Sequence, residues 1–277
     1  MAIFLPRLNI VLFNTEGDVG VADRDVCMDR ILSSILNLTQ NYPNLFILAQ
    51  DNINEAKHTK FCTKLHQNPM AIPCNIQAGV YYDPNTLYGV EYVNVAQLND
   101  ALAHEGDNVF TVLRLTACVL NPTAGINIGK KILLVSWHGP SDEKSEVKHD
   151  CFVRLVRFLG RLKVQKGCDM VIVGGDFNFS PGEARGLLDV YALDGVVSDS
   201  YTPTEDRLAG DLIDYVVYWP RDCLHVFEVS VVERDFRREV GNRPFDHNIV
   251  FYRFDEIETY LDLARQFRNI SVYENEE

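Results

Sequence analysis

The chain has 277 residues, of which 47% are hydrophobic and 23% charged, and its formal net charge is −13. That balance excludes a disordered or fibrous chain, and the acidity weighs against broad, non-specific binding of nucleic acid, which needs Lys and Arg against phosphates. Seven cysteines are scattered with no C-x-x-C pair, so the sequence indicates neither a disulfide framework nor a zinc site, and most are expected to be buried thiols.

The opening Met1–Arg7 has no basic n-region, and proline breaks its short apolar run. No stretch is apolar for long enough to span a bilayer. The expectation is a soluble intracellular protein, cytoplasmic or nuclear.

In chain order, Leu8, Ile10 and Leu12 alternate as in a strand, Val26, Ile31, Ile35 and Leu38 repeat at helical spacing, and Leu45–Leu48 is a buried strand. A second helix is expected near 55–67. The middle of the chain predicts strands at 76–82, 87–95, 109–120 and 131–137 with turn residues such as Asp83, Pro84 and Asn85 between them, and consecutive strands imply antiparallel pairing. A helix is expected at about 145–166, followed by the buried strand Met170–Val173. Strands at about 212–218, 224–232 and 248–254 complete the core, and 256–267 reads as a terminal helix before an acidic tail. No Ser/Gly linker or internal repeat interrupts the pattern, so residues 1–277 are expected to form one domain with a core of about 7–255. Arg234, Arg237, Arg238 and Arg243 form a basic stretch whose plainer reading is a solvated loop.

Several buried-looking strands stop abruptly in polar residues. Leu8–Phe13 ends at Asn14, Thr15 and Glu16; Leu45–Ala49 ends at Gln50 and Asp51; Ile132–Trp137 ends at His138. Met170–Val173 runs into Gly174, Gly175, Asp176, Phe177 and Asn178; Asp214 is expected in mid-strand; Asp246 and His247 precede Asn248–Phe251. Singly, such residues are turn-formers, caps or satisfied partners of a backbone amide. Gathered on one sheet edge, they would form a pocket of carboxylates, amides and imidazoles that suits a hard ion such as Mg²⁺ or Mn²⁺. Such an ion polarises a phosphoryl oxygen, while a carboxylate activates water and a histidine stabilises charge.

The ordered motifs from Asn14 to His247 resemble those of the endonuclease/exonuclease/phosphatase superfamily. The resemblance implies a four-layer α/β/β/α sandwich of two mixed, mostly antiparallel sheets flanked by helices, with the active site at one rim. It also implies roles. Asp176 orients or deprotonates the attacking water, and Asn178 positions that water and the phosphate. His247 contacts the scissile phosphate, Asp214 orients His247, and Asn14 is the first-strand asparagine. Asp246, Glu16 and Asp51 are the implied metal ligands. His138 matches a phosphate-contacting histidine of deoxyribonuclease-like and sphingomyelinase-like members, where apurinic endonucleases carry a tyrosine. Arg114 falls where many members carry an arginine, as a substrate contact or a structural ion pair. Two departures stand out: Asp51 replaces the usual metal-binding glutamate, one methylene longer, and Phe245 replaces a small residue before Asp246.

The expectation is a metal-dependent phosphoester hydrolase, either phosphodiesterase, nuclease or phosphatase. The opposing one is a binding protein that kept the fold and lost efficient catalysis at Asp51. The acidity leans away from a general nuclease, towards a small phosphoester, a lipid head group or a protein-delivered nucleic acid.

Overall fold

In β1 (Leu8–Asn14) all seven residues are buried, because the strand is covered on both faces. Leu8, Ile10 and Leu12 point into one hydrophobic cluster, Val11 and Phe13 into another. A continuous apolar run is what a doubly covered strand requires. The structure is a computed structural model and describes residues 8–15, 26, 28–35, 37, 44–68, 76–94, 114–123, 130–141, 143–198, 213–221, 224–231 and 249–256.

The remaining strands are β2 (Leu45–Ile53), β3 (Ile76–Tyr82), β4 (Tyr88–Tyr92), β5 (Leu115–Pro122), β6 (Ile132–His138), β7 (Met170–Asp176), β8 (Val196–Val197), β9 (Asp214–Trp219), β10 (Leu224–Val231) and β11 (Val250–Glu256). They form a five-stranded sheet, β10-β11-β1-β2-β3, and a six-stranded sheet, β4-β5-β6-β7-β9-β8. Each holds one parallel pair, β1 with β2 and β6 with β7, and the other pairings are antiparallel. Parallel neighbours need a crossover, and a helix lies between the two strands of each pair in sequence. These are α1, helical at 26, 28–35 and 37, and α3 (Ser145–Lys166); α2 (Glu55–Lys64) follows β2, and α4 (Pro181–Val190) follows β7.

The core has three parts. Leu12, Leu48, Leu134, Ile172, Val216 and Tyr252 are among those filling the space between the sheets. Met28, Ile31, Leu32 and Ile35 of α1 and Phe61 of α2 cover the first sheet with Val11 and Phe13. Phe152, Leu155 and Leu159 of α3 and Leu188 of α4 cover the second, over Val171, Val173 and Tyr215. The result is the expected four-layer sandwich. No helix among the described residues is long and apolar enough to cross a membrane.

Several expectations need correction. Val26 is 56% exposed, so the buried face of α1 is shifted to Met28, Ile31, Leu32 and Ile35. The second helix ends at Lys64, where Leu65 caps it. Consecutive β3 and β4 do not pair: β3 joins β2 in the first sheet, and β4 joins β5 in the second. β2 continues past Ala49 to Ile53 with a register shift between Gln50 and Ile53. Asp214 begins β9 instead of sitting inside it, because Asp176–Asp214 is the last pair of the β7/β9 ladder. Arg114 immediately precedes β5. Helix α4 and strand β8 were not expected, and the terminal helix at 256–267 falls outside the described residues apart from Glu256, which ends β11.

Candidate active site

Register decides which strand-end residues meet. Across the second sheet His138 pairs with Asp176 and Asp176 with Asp214, while in the first sheet Asn14 pairs with Gln50. Two neighbouring glycines let the two ladders close on each other. A Cβ on Gly174 would stand 2.7 Å from Leu12 Cδ2 and 2.7 Å from Leu48 Cδ1, so the missing side chain makes room for the facing sheet. Gly175 has φ +148°, and a Cβ there would lie 2.0 Å from the Trp137 carbonyl oxygen, which no side chain survives.

At the seam, Asn14 Nδ2 donates to Asp176 Oδ2 at 3.1 Å, a buried hydrogen bond from one sheet to the other. The Asn178 backbone N–H donates to Asp176 Oδ1 at 2.8 Å, and His138 Nε2 stands 3.8 Å from Oδ2. The carboxylate is 2% exposed, and both oxygens act as acceptors of N–H groups. Burial of an ionisable group with organised donors is the arrangement expected of a working carboxylate.

His138 is oriented from the far side. Its Nδ1 lies 2.8 Å from Gln77 Oε1 on β3. An amide oxygen only accepts, so Nδ1 carries the hydrogen and Nε2 is turned to Asp176. The Gln77–His138 bond also crosses between the sheets.

The segment after Asp176 is held at several points. Asn178 is left-handed, φ +59°, and its Nδ2 donates to Gly139 O at 3.0 Å. Lys148 Nζ, on α3, donates to Asn178 O at 3.2 Å, and Gly139 N donates to Asp176 O at 2.7 Å. Phe177, 1% exposed, stacks on Tyr215 with ring centroids 4.2 Å apart. Burial pushes the Tyr215 hydroxyl well above its ordinary value, and the nearby Asp176 charge adds to the effect.

Arg114 Nη1 donates to Gly139 O at 2.9 Å and His138 O at 3.4 Å, so it braces the chain just after β6. Asp214 is buried beside Asp176 in register. Asp51 is 8% exposed and left-handed, φ +66°, in the irregular part of β2. The structure thus brings together Asn14, His138, Asp176, Asn178 and Asp214. Glu16, Asp246 and His247 lie outside the described residues. Sequence reading missed Gln77, Lys148 and Gly139. Only the glycine carried a local signal, its place directly after His138.

The donors at this rim are oxygens and imidazole nitrogens, while the described cysteines are buried elsewhere. That chemistry fits a hard divalent ion. Among the described residues no three of His, Cys, Asp and Glu come close enough to hold one.

A four-layer sandwich with polar strand ends collected at one rim defines a class seen in solved structures. No family model matches the sequence, and no curated protein matches it. In three dimensions the chain is similar to an endonuclease/exonuclease/phosphatase from Bacteroides vulgatus at TM-score 0.62 and 14% identity, covering 91% of this chain and 99% of that one. It is similar to the catalytic domain of human Nocturnin, solved with a bound sulfate anion, at TM-score 0.58 and 13% identity, covering 92% and 96%. It is also similar to D. rerio TDP2 complexed with a single-strand DNA product, at TM-score 0.56 and 14% identity, covering 90% and 99%. The chain has the endonuclease/exonuclease/phosphatase fold.

Proposed function

We propose that the chain is a phosphoester hydrolase working at this rim. The observation that carries the reading is the Asp176 carboxylate, buried at the inter-sheet seam and held by Asn14 from one sheet and Asn178 from its own segment. The similar structures support it through what they hold, a sulfate anion in one and a DNA product in another.

In this reading Asp176 takes the proton of the attacking water. Asn178 Nδ2 has two hydrogens, one donated to Gly139 O, and the second would reach a phosphoryl oxygen. His138, fixed by Gln77, would stabilise charge on the phosphate, and Asp214 would orient His247 for the same purpose. Mg²⁺ or Mn²⁺, held by Asp51 with Glu16 and Asp246, would polarise the phosphoryl group and stabilise the leaving oxygen. The competing reading, a binding protein on the same fold, is favoured by the shorter Asp51 alone and predicts neither turnover nor a metal-dependent thermal shift.

The test is hydrolysis of bis-p-nitrophenyl phosphate, DNA, RNA and a phospholipid with Mg²⁺ or Mn²⁺, beside Asp176→Asn. The substitution removes the base, so the rate should fall by about 10²- to 10⁴-fold; it also turns one of two buried acceptors into an NH₂ facing an N–H donor, so Tm should fall as well and rates are compared where both proteins are folded. Undiminished turnover in the variant removes Asp176 from the mechanism, and silence across the panel favours the binding protein.

A further inference from the structure

Asn178 spends three polar groups inside the protein. Its backbone N–H donates to Asp176 Oδ1 at 2.8 Å, its backbone O accepts from Lys148 Nζ at 3.2 Å, and one Nδ2 hydrogen goes to Gly139 O at 3.0 Å. The side chain keeps its Oδ1 and a second Nδ2 hydrogen for a water and a phosphoryl oxygen. Where those two groups point depends on the backbone that carries them. Asn178 is left-handed at φ +59°, a conformation asparagine tolerates better than most residues but which the surroundings must still impose.

The flanking residues pin the chain without settling that conformation. Phe177 and Phe179 are 1% and 7% exposed, and both meet Phe152 of α3 edge-on, with ring centroids 5.8 and 5.4 Å away. Two anchored rings fix where the segment runs, but not the tilt of the peptide planes between them. Each plane is rigid, so one hydrogen bond is enough to set it. The bond to Asp176 sets the plane before Asn178, and the bond from Lys148 sets the plane after it. Together they define φ and ψ, and with them the direction of the Cα–Cβ bond that carries the amide.

Nothing in α3 itself calls for a lysine at 148. It is the fourth residue of the helix, whose cap Lys144 makes no side-chain bond to the free N–H groups, and a cation at that end opposes the helix dipole. Holding a long side chain in one part-buried rotamer also costs entropy. The ammonium is turned instead to a carbonyl 30 positions away, a charge-assisted bond of the stronger kind. Its neighbour His149 faces the same segment, with its ring 5.3 Å from that of Phe179.

We infer that Lys148 is a positioning residue that sets the peptide after Asn178 and so aims the Asn178 amide into the rim. The inference rests on the hydrolase reading for what that amide does there.

The experiment uses the full chain with Lys148→Met, Lys148→Arg, Asn178→Ala and the double variant Lys148→Met/Asn178→Ala. Amide hydrogen exchange is followed by NMR, and hydrolysis of bis-p-nitrophenyl phosphate is measured with Mn²⁺. In Lys148→Met the Asn178 N–H should exchange about tenfold faster while those of Ile172 and Val173 in β7 stay as they were, since only the local segment loosens. Its kcat should fall about tenfold or more, the usual result of misplacing a group that orients the reacting atoms. Lys148→Arg keeps a charged donor and should restore most of both. Because Lys148 acts through Asn178, adding Lys148→Met to Asn178→Ala should change the rate little. Losses that multiply in the double variant overturn the inference and place the ammonium on the phosphate itself. Exchange at Asn178 that Lys148→Met leaves unchanged also overturns it, as does a wild-type kcat in that variant, and both leave the hydrolase reading standing. Absence of turnover in the wild type removes the hydrolase reading, and faster exchange in Lys148→Met then still supports the clamp on Asn178.

Discussion

His138 owes its orientation to a residue 61 positions away in the chain, and that dependence makes a sharp test. In Gln77→Leu the Nδ1–H loses its acceptor, the ring can turn or change tautomer, and Nε2 no longer faces Asp176. The expected outcome is a fall of about tenfold in kcat with a changed pH profile, whereas Gln77→Glu keeps an acceptor and most of the rate. Equal rates in all three proteins would mean that His138 needs no orienting partner. Nothing local in the sequence marked Gln77, since β3 belongs to the first sheet and β6 to the second and only the packing of the two brings their ends together. Asp176 and Asn178 were legible for the opposite reason: they stand two apart after a pair of glycines, and the motif itself makes the 2.8 Å bond between them.

At the scale of elements, α4 follows the segment that carries Asp176 and Asn178, and a capping box fixes its start. Ser180 Oγ accepts from the Glu183 N–H at 3.3 Å, and Glu183 Oε2 takes the Ser180 N–H at 2.9 Å and its hydroxyl at 2.6 Å. The Ser180 hydroxyl first, and then its N–H, hold the Glu183 carboxyl below its ordinary value, with His149 adding a smaller pull. A carboxyl depressed in the folded state gives stability that is whole above its unfolded value, near about pH 4.3, and is lost as pH falls through the folded one. Thermal melts should therefore show Glu183→Gln less stable than the wild type at pH 7, with the gap closing in the acid range below pH 4.3. A gap that stays constant down to pH 2 would show that the ionised carboxyl is not what holds the cap. Ser180→Ala should cost about 1 kcal/mol at neutral pH. The S-x-x-E signature with Pro181 at the first helical position was present in the sequence, so α4 was readable there and was overlooked. By contrast α3 matches its expected bounds, since a long apolar stripe at helical spacing leaves little choice. The irregular end of β2 had no such signal: Gln50 and Asp51 look like a strand stop, and only pairing with β3 as far as Ile53 reveals that the strand continues.

For the whole molecule, the layered architecture came from the resemblance carried by the ordered strand-end motifs, while the apolar runs Leu8–Phe13, Leu45–Ala49, Ile132–Trp137 and Met170–Val173 marked only buried strands, of the kind that sheets covered on both faces require. The crossing of the chain from one sheet to the other between β3 and β4 was not legible, since strand-strand adjacency in sequence looks alike whether the pair bonds or parts. Net charge acts at this scale too. With −13 overall, the approach of a long polyanion to the rim is opposed by the field of the protein, and salt screens that field over about 10 Å at 0.1 M. If the chain hydrolyses long nucleic acid, kcat/KM should rise as salt is raised from about 10 to 150 mM, opposite in sign to an enzyme that binds phosphates through a basic groove. On bis-p-nitrophenyl phosphate, with a single charge, the same change should be nearly flat. A steep fall with salt on DNA or RNA would contradict the acidic-field argument. It would direct attention to Arg234, Arg237, Arg238 and Arg243, outside the described residues, as a groove that gathers phosphates despite the net charge.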